Sequence, residues 1–343
     1  MNSLLTIVII SILIALIFDI INGFHDSANS IATVVATRVL SPRFAVFWAA
    51  FFNFIAMFIF QPRVANTISK IIIIDSSDPA FVFVVLSGLI GAIVWNLLTW
   101  WYGLPSSSSH ALIGGLIGTG IAHKGVHVIY WKKLIEVATF IPIAPLVGVV
   151  LGCIIMVLVL WIFRKKTPLR VDFIFRKGQL LSAALYSLGH GGNDAQKTMG
   201  VILALLVAAG IFSPDKQLSL AHWDTIWIIV SCHLAMAIGT GMGGWRIVKT
   251  MGMKLTKLKP VHGFCAETSG ALTIFLATHL GIPVSTTHTI AGSIIGVSMV
   301  SSLSKIKWII AYRIVWAWFL TIPISALIGA GFFTAIEAFH GKF

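Results

Sequence analysis

A short element occurs twice in this chain, and it constrains the fold more than any other feature. Residues 104–118 have the sequence LPSSSSHALIGGLIG, and residues 282–296 have the sequence IPVSTTHTIAGSIIG. A proline, a histidine and two glycines fall at matching positions of the two copies. Each copy follows a polar segment, NGFHDSANS at 22–30 and GHGGNDAQK at 189–197. The two halves of the chain are therefore predicted to repeat one structural unit.

The composition indicates a membrane protein. The 343 residues are 58% hydrophobic and 10% charged, whereas a soluble domain carries about 25% charged residues. The apolar runs lack strand-like alternation, which favours helices over barrel strands. We expect an all-α, polytopic integral membrane bundle with two inverted repeats, broken helices and re-entrant hairpins. At roughly 20 residues per span, it would contain about 10–12 helices.

The formal net charge of +13 does not indicate a nucleic-acid partner. Lysine and arginine lie mostly in short loops between apolar runs, which is the bias of cytoplasmic loops in membrane proteins. The three cysteines, Cys153, Cys232 and Cys265, lie in apolar segments without metal-ligand spacing. We therefore expect them to pack in the core.

The basic segment RKKTPLRVDFIFRK at 164–177 is the predicted boundary between the halves. It divides the chain into an N-terminal membrane repeat (1–163), a basic cytoplasmic linker and a C-terminal membrane repeat (178–343). A second basic loop, 246–259, is expected on the same side of the membrane. The acidic loops 75–78 and 213–224 are expected on the other side. Two further basic loops, 124–133 and 305–307, would face opposite sides of inverted halves, so their topology stays open.

The first polar segment contains predicted cation ligands. Asp26 and Asn29 are three residues apart and share one face of a helix. Gly23 precedes them, and we expect it to interrupt the helix and expose backbone carbonyls. A carboxylate, an amide and free carbonyls are ligands for Na⁺, while the carboxylate alone can instead carry a proton.

The second polar segment repeats this pattern with one change. Asp194 stands in for Asp26, and Asn193 adds a neutral ligand, but Lys197 takes the place of Asn29. Lys197 either forms an internal ion pair with Asp194 or attracts an anion.

Two other acidic residues lie in apolar surroundings. Glu267, in HGFCAETSGALTIF, is a further cation or proton candidate because buried carboxylates in membranes are costly. Asp19 is either functional or at a helix end near water.

The repeated elements carry clustered hydroxyls at predicted helix starts, since Pro105 and Pro283 precede them. Hydroxyls and unpaired backbone N–H groups at a helix N-terminus bind anions. Plain capping needs only one hydroxyl. His110 and His288 could contact the anion, relay a proton or brace the hairpin through a carbonyl, and we favour bracing. The predicted oxyanion contacts are Ser107, Ser108, Ser109, Ser285, Thr286 and Thr287.

Three classes of function fit these observations unequally. Internal duplication with interrupted helices is typical of a secondary transporter. An intramembrane hydrolase with Ser, His and Asp needs one base and one orienting acid, so duplication brings it no benefit. An anion channel avoids the tight binding that dense carboxylates and hydroxyls suggest.

Five ordered blocks resemble the PiT family of inorganic phosphate transporters. They are NGFHDSANSIATVV, SSSSHALIGG, GGNDAQKTMG, GFCAETSGALTIF and IPVSTTHTIAGSIIG. The resemblance implies symport of inorganic phosphate with Na⁺ or H⁺, by alternating access at a midplane site, and not an enzyme. It also leaves sulfate, arsenate or metal–phosphate as alternative substrates. It implies no cofactor, a place in the cell inner or plasma membrane, and a homodimer as one option for assembly.

The resemblance also assigns residues. It implies that Asp26, Asn29 and Asp194 bind the cation, as metal ligands if it is Na⁺, and that Glu267 matches a family carboxylate near the site. Many relatives carry a second glutamate where this chain has Asn53, which puts a coupling role for two glutamates in doubt. The implied phosphate contacts are the six hydroxyl residues named above, together with Gln196.

Overall fold

The computed structural model describes residues 2–71 and 80–340, with side chains from residue 5 to 339. Within these ranges the architecture is helical, which confirms the predicted fold class. Five helices (α1, α4, α6, α8 and α12) are long and apolar enough to cross a membrane. The helices are α1 (Asn2–Ala36), α2 (Pro42–Ile55), α3 (Arg63–Ile68), α4 (Ala80–Tyr102), α5 (Ser108–Lys124), α6 (Trp131–Phe163), α7 (Pro168–Ala208), α8 (Trp223–Met242), α9 (Trp245–Val248), α10 (Pro260–His279), α11 (Thr286–Ser301) and α12 (Trp308–His340).

The polar segments do not break their helices, so this expectation is wrong. Both α1 and α7 run without interruption through them. A Cβ on Gly23 would lie 2.3 Å from the Met236 carbonyl oxygen of α8, and one on Gly239 would lie 2.0 Å from the Ile20 oxygen. These glycines therefore allow α1 and α8 to cross at close range. Gly191 of α7 likewise allows a close contact between α7 and Asn53 of α2.

The discontinuous helices lie elsewhere. After α2 the chain forms a short 3₁₀ turn (Ala56–Phe58) before α3 begins at Arg63. After α8 it passes through α9 and a π-helical segment (Lys249–Lys254). Within the described residues, an interrupted element thus occurs in each half. The one in the N-terminal half packs beside α7, and the one in the C-terminal half packs beside α1.

Two helical hairpins, α4–α5 and α10–α11, carry the repeated motifs. Each first helix ends at a glycine of positive φ, Gly103 (64°) and Gly281 (74°), a backbone conformation that favours glycine. Each second helix begins at a serine cap, because the hydroxyls of Ser107 and Ser285 accept from the third backbone N–H beyond them. The hairpin tips are buried, so both chains turn back inside the protein.

Each hairpin is covered by the last long helix of the opposite half. Helix α12 packs on α4 and α5, and α6 packs on α10 and α11. A Cβ on Gly118 of α5 would lie 2.1 Å from the Ala326 oxygen, and one on Gly296 of α11 would lie 2.3 Å from the Val149 oxygen. Such close approach of helices through small residues is a normal mode of packing in membranes.

The predicted linker is mostly helical. Helix α7 begins at Pro168, capped by the Thr167 side chain, so only 164–167 connects the halves outside a helix. The division into two repeats at this segment stays a prediction. The acidic loop 75–78 lies outside the described residues. In the other acidic loop Lys216 forms an ion pair with Asp224, and the sidedness of all the loops stays a prediction.

The close packing of each hairpin against the last long helix of the opposite half predicts which glycines tolerate a methyl group. Gly118→Ala and Gly296→Ala each place a Cβ against backbone, and overpacking of this kind costs about 1–3 kcal/mol. We expect both variants to unfold at lower temperature in detergent. Gly331→Ala is the control, because Gly331 is helical and its Cβ would meet no atom within 4 Å. Equal thermal midpoints for all three variants would contradict the close packing.

Candidate functional site

Two polar helices cross in opposite directions at the centre of the protein. Near the end of α1, Thr37 donates to Gln179 near the start of α7 at 2.8 Å. Further along, Asp26 lies close to Asp194. From the first contact to the second, residue numbers decrease along α1 and increase along α7. The two helices are therefore antiparallel. Buried polar residues recur on α1 at helical spacing: Asp19, Asn22, Asp26, Asn29 and Thr33.

Asp26 is held by groups from both hairpins. Its Oδ2 lies 2.6 Å from the Ser108 hydroxyl of α5, and its Oδ1 lies 3.4 Å from the Thr287 hydroxyl of α11. The ring of His25 contacts Oδ1 at 2.6 Å. One turn further along α1, the Asn29 amide donates to Thr287 at 2.9 Å. The N-terminal polar segment therefore connects the two hairpin tips.

Asp194 has matching contacts in the other half. Its Oδ1 forms a buried ion pair with the Lys197 ammonium, and its Oδ2 accepts from the Thr286 hydroxyl at 3.2 Å. The Lys197 ammonium also donates to the Ser109 hydroxyl at 2.5 Å and to the Val284 carbonyl at 3.0 Å. The structure thus supports the ion-pair interpretation of Lys197 and also places its ammonium at both hairpin tips.

The two sets of contacts are equivalent under the internal repeat. Asp194 lies 168 positions after Asp26, and Thr286 lies 178 positions after Ser108. Asp26 contacts Ser108 and Asp194 contacts Thr286, which are equivalent hydroxyls of the two hairpins. Three positions after each aspartate, Asn29 contacts Thr287 and Lys197 contacts Ser109, so each of these two side chains reaches the hairpin of the other half. Two chemical differences remain: Asn29 is an amide where Lys197 is an ammonium, and the His25 contact to Asp26 has no counterpart because Asn193 occupies the equivalent position.

A third ligand group joins the carboxylates. One ligand atom from each of Asp26, His190 and Asp194 lies within 4.8 Å of the other two, and all three residues are buried. Asn53, on α2, positions His190 through a contact of 3.2 Å to its Nδ1. The sequence prediction missed His190. Its position four residues before Asp194 on a continuous helix is the signal that would have identified it.

The hydroxyl-bearing ends of α5 and α11 meet at this centre. The rings of His110 and His288 lie 4.7 Å apart, and His288 stacks on Trp318 at 3.9 Å. His288 also lies 3.5 Å from the Ile141 carbonyl of α6, a contact of the bracing type. Ser107 and Ser285 serve as helix caps, which leaves the next two hydroxyls of each cluster directed at the aspartates, Asn29 and Lys197.

Three predicted residues lie outside this central cluster. The Gln196 amide is fully engaged by backbone groups at the start of α3 and in α7. The Asn193 amide donates to Thr278 at 2.9 Å. Glu267 forms a separate buried site, where Thr33, Gln179 and Ser182 donate to it at 2.5–2.9 Å.

The site is closed to solvent in this conformation, because each predicted site residue is at most 3% exposed. A cavity of about 710 Å³ lies beside it, between α3, α7, α8 and the loop before α8. Gln61, Arg63, Gln196 and His233 are among its lining residues. Phe60 also lines this cavity and packs directly on Gly192 of α7.

Fold and site together define a multi-pass membrane transport protein with a buried polar centre. Residues 22–329 match the profile of PHO4, the phosphate transporter family. The chain is 53% identical over 321 residues to a probable low-affinity inorganic phosphate transporter of Rhizobium meliloti (strain 1021), covering 93% of each chain. It is 42% identical to a protein of the same description from Bacillus subtilis (strain 168), covering 96% and 97% of the two chains.

A solved structure has the same fold. It is described as "The sodium-dependent phosphate transporter", with a TM-score of 0.87, 24% identity, and coverage of 97% of this chain and 99% of the other. The chain belongs to the phosphate transporter family, whose members are transporters and not enzymes. The resemblance found in the sequence is thereby confirmed.

The buried ion pair makes a testable prediction for stability. Lys197→Met leaves the Asp194 carboxylate without its ammonium partner, and breaking a buried pair in this way costs about 3–5 kcal/mol. We expect a marked loss of thermal stability in detergent. The double variant Asp194→Asn with Lys197→Met removes both charges and should recover most of that loss. A double variant as unstable as the single one would show that the charge itself does not matter.

Proposed function

We propose that the protein is a secondary active symporter that carries inorganic phosphate together with monovalent cations across the cell inner or plasma membrane. The observation that carries this proposal is the meeting of two hydroxyl-bearing helix N-termini beside two buried carboxylates. One set of groups suits an oxyanion and the other suits a cation, and they share hydrogen-bonding partners. Binding of one ion therefore changes the surroundings of the other.

The phosphate site we propose lies between the starts of α5 and α11. Ser108, Ser109, Thr286 and Thr287 offer hydroxyl donors, and the first backbone N–H groups of each helix have no intrahelical acceptor. The positive ends of both helix dipoles face the same point. Lys197 already contacts both tips and adds a charge-assisted donor. These are the groups that a tetrahedral oxyanion requires.

Charge balance explains why an anion would need cations here. Asp26 and Asp194 supply two carboxylates against the single ammonium of Lys197, all of them buried. An unpaired charge in a low-dielectric centre is strongly disfavoured. Entry of phosphate adds further negative charge, so cations must enter with it. Na⁺ at Asp26, Asn29, His190 and Asp194, or protons on the carboxylates, would both restore the balance.

The repeat suggests unequal roles for the two halves. Asp26 with Asn29 offers a carboxylate and an amide oxygen, and the Asn29 Oδ1 accepts no hydrogen bond from the described part of the chain. At the equivalent place in the other half, the Lys197 ammonium contacts Asp194. We infer that Lys197 is a tethered positive charge that replaces one transported cation. The exchangeable cation would then bind on the Asp26 side.

The antiparallel crossing of α1 and α7 supports an inverted relation between the halves. In that arrangement each hairpin would approach the site from its own side of the membrane, and the motion of one relative to the other would open each side in turn. The cavity lined by Arg63 is the entry path we propose on one side, since a cationic side chain attracts phosphate. Assembly as a homodimer stays a prediction.

A hydrolytic function has one geometric argument in its favour and two against it. Ser106, His25 and Asp26 form a contact series at 3.4 and 2.6 Å. However, the Ser106 hydroxyl donates to Thr99 at 2.8 Å, and so is not directed at His25. The equivalent positions in the second half are Asn193 and Val284, which cannot repeat the series. The family match also identifies relatives that are transporters.

The proposal is tested by uptake of labelled phosphate into proteoliposomes, with Na⁺ and pH gradients imposed separately. We expect saturable uptake that one of the gradients drives. Asp26→Asn should abolish gradient-driven uptake while the protein still inserts and elutes as a folded species. Sulfate, arsenate and divalent metals added as competitors identify the substrate. Uptake that ignores both gradients would favour the channel alternative.

Paired hydroxyl variants test the oxyanion site. Ser109→Ala and Thr287→Ala occupy equivalent positions of the two hydroxyl clusters, so each should raise the Michaelis constant for phosphate and the double variant should raise it further. Each lost hydrogen bond to a charged group is worth about 1.5–3 kcal/mol. Ser107→Ala is the matched control, because this cap should affect stability more than affinity. Unchanged affinity in the double variant would remove these hydroxyls from the site.

Converting one half of the site into the other tests the role of Lys197. Lys197→Asn gives Asp194 the same neighbour that Asp26 has in Asn29. We therefore expect uptake by this variant to depend on one more cation. We also expect Na⁺ or low pH to raise its thermal stability. Asp194→Asn with Lys197→Asn removes both charges and should show the cation dependence of the unmodified protein. If both variants show that original dependence, Lys197 does not replace a cation.

A further inference from the structure

Asp19 is a buried carboxylate that the proposed transport site does not use. It lies on α1 two turns before Asp26, about 10 Å along the helix axis, and is 0% exposed. Neither of its carboxylate oxygens has a hydrogen bond of good geometry within the described chain. The side chains of Asn22 and Thr198 lie near enough to donate weak hydrogen bonds to it. The Asn22 Nδ2 and the Thr198 hydroxyl are also without well-formed hydrogen bonds in the described ranges.

These weakly hydrogen-bonded polar atoms need a physical cause. Buried polar groups are almost always hydrogen-bonded, because an unmet donor or acceptor costs free energy. An ionised carboxylate in a membrane is costlier still, and such residues usually have a function. The position therefore needs a positive partner, and a proton or a metal cation are the two candidates.

The number of oxygen ligands favours the proton. Na⁺ bound in a protein needs several oxygen atoms around it, as in the sites that transporters build from carboxylates and unwound backbone carbonyls. At Asp19 the helix is continuous, so its backbone carbonyls are engaged. The facing groups add one hydroxyl and one amide. A proton needs only the carboxylate itself.

Asn22 connects this position to the transport site. The Ser108 hydroxyl lies 2.5 Å from the Asn22 Oδ1 and 2.6 Å from the Asp26 Oδ2. A serine hydroxyl has one hydrogen and cannot donate to both oxygens. In one arrangement Ser108 donates to the Asn22 Oδ1; in the other the Asn22 amide is reversed, its NH₂ group donates to Ser108, and Ser108 donates to Asp26. The charge of Asp19 decides between these arrangements, because it faces the same amide.

We propose that Asp19 is a second proton-binding site, which communicates with Asp26 through the Asn22 amide and the Ser108 hydroxyl. This inference rests on the proposed symport function and adds a coupling residue to it. When Asp19 is ionised, the Asn22 NH₂ group faces it, and Ser108 donates to the Asn22 Oδ1 instead of to Asp26. When Asp19 is protonated, it donates to the reversed amide, and Ser108 donates to Asp26.

Other charged groups near Asp19 are compatible with this switch. On α7 the facing charges are Asp194 and Lys197, which neutralise each other as an ion pair, and α8 contributes the Cys232 thiol. Helix α4 contains no carboxylate, histidine or lysine. Asp26 lies on the same helix. Asp19 is therefore the carboxylate at this level without a compensating ammonium among the described residues.

The test separates net transport from exchange. Asp19→Asn is close in shape to the carboxylate but cannot change its charge. In proteoliposomes we expect this variant to lose phosphate uptake driven by a pH gradient and to retain exchange of labelled for unlabelled phosphate at equal pH. Asp19→Glu, which keeps a titratable group, should retain driven uptake with a displaced pH optimum. Asp172→Asn, at an exposed site near the start of α7, is the control and should behave as the unmodified protein.

Each other outcome overturns the proposal. If Asp19→Asn keeps pH-driven uptake with an unaltered pH profile, Asp19 does not bind a coupling proton. Loss of response to an Na⁺ gradient alone would assign the site to Na⁺. Loss of exchange in both folded Asp19 variants would assign Asp19 a structural role. By contrast, an unmodified protein that catalyses neither phosphate uptake nor exchange would refute the proposed function itself.

Discussion

The antiparallel crossing of α1 and α7 at Asp26 and Asp194 is the feature on which the rest of the structure depends. Two carboxylates buried this deeply require donors on every side, and the helices themselves cannot supply them, since their backbone groups are engaged. The hydroxyls of Ser108, Thr286 and Thr287 supply them from the two hairpin tips. The tips must therefore turn inside the protein, which requires the glycine-terminated first helices and serine-capped second helices seen in both halves.

The inward turn of the hairpins also accounts for the packing of α6 and α12 on the hairpins of the opposite halves. A hairpin that ends at the centre leaves its sides to be covered by another element. Helices α6 and α12 each cover the hairpin of the opposite half, with backbones in close contact at glycines of α5 and α11. The two halves are consequently held together by close packing of helices, while the carboxylates and hydroxyls that they share lie at the centre.

The sequence was sufficient to predict the helical fold class and most of the polar groups that meet at the centre, because polar residues repeated within apolar membrane segments are costly and usually functional. The inverted relation of the two halves stays a prediction. The sequence did not predict that α1 and α7 are continuous. Glycines such as Gly23 and Gly191 serve helix breaks and close helix crossings equally well, and only the backbone opposite each one decides between them. The backbone partner of the Gln196 amide, at the start of α3, is likewise one that sequence spacing does not reveal, and a phosphate contact for Gln196 stays a prediction.

The residues that the sequence left unassigned follow from the continuity of these helices. Once α1 is an unbroken helix, Asp19, Asn22, Asp26, Asn29 and Thr33 necessarily share one face, and the same holds for Gln179, Ser182, His190 and Asp194 on α7. The polar contacts then extend from Thr198 beside Asp19, through the central carboxylates, to the three donors of Glu267. A carboxylate thus stands at each end of this series of contacts as well as at its centre. Charge can enter such a buried series only with its counter-charge.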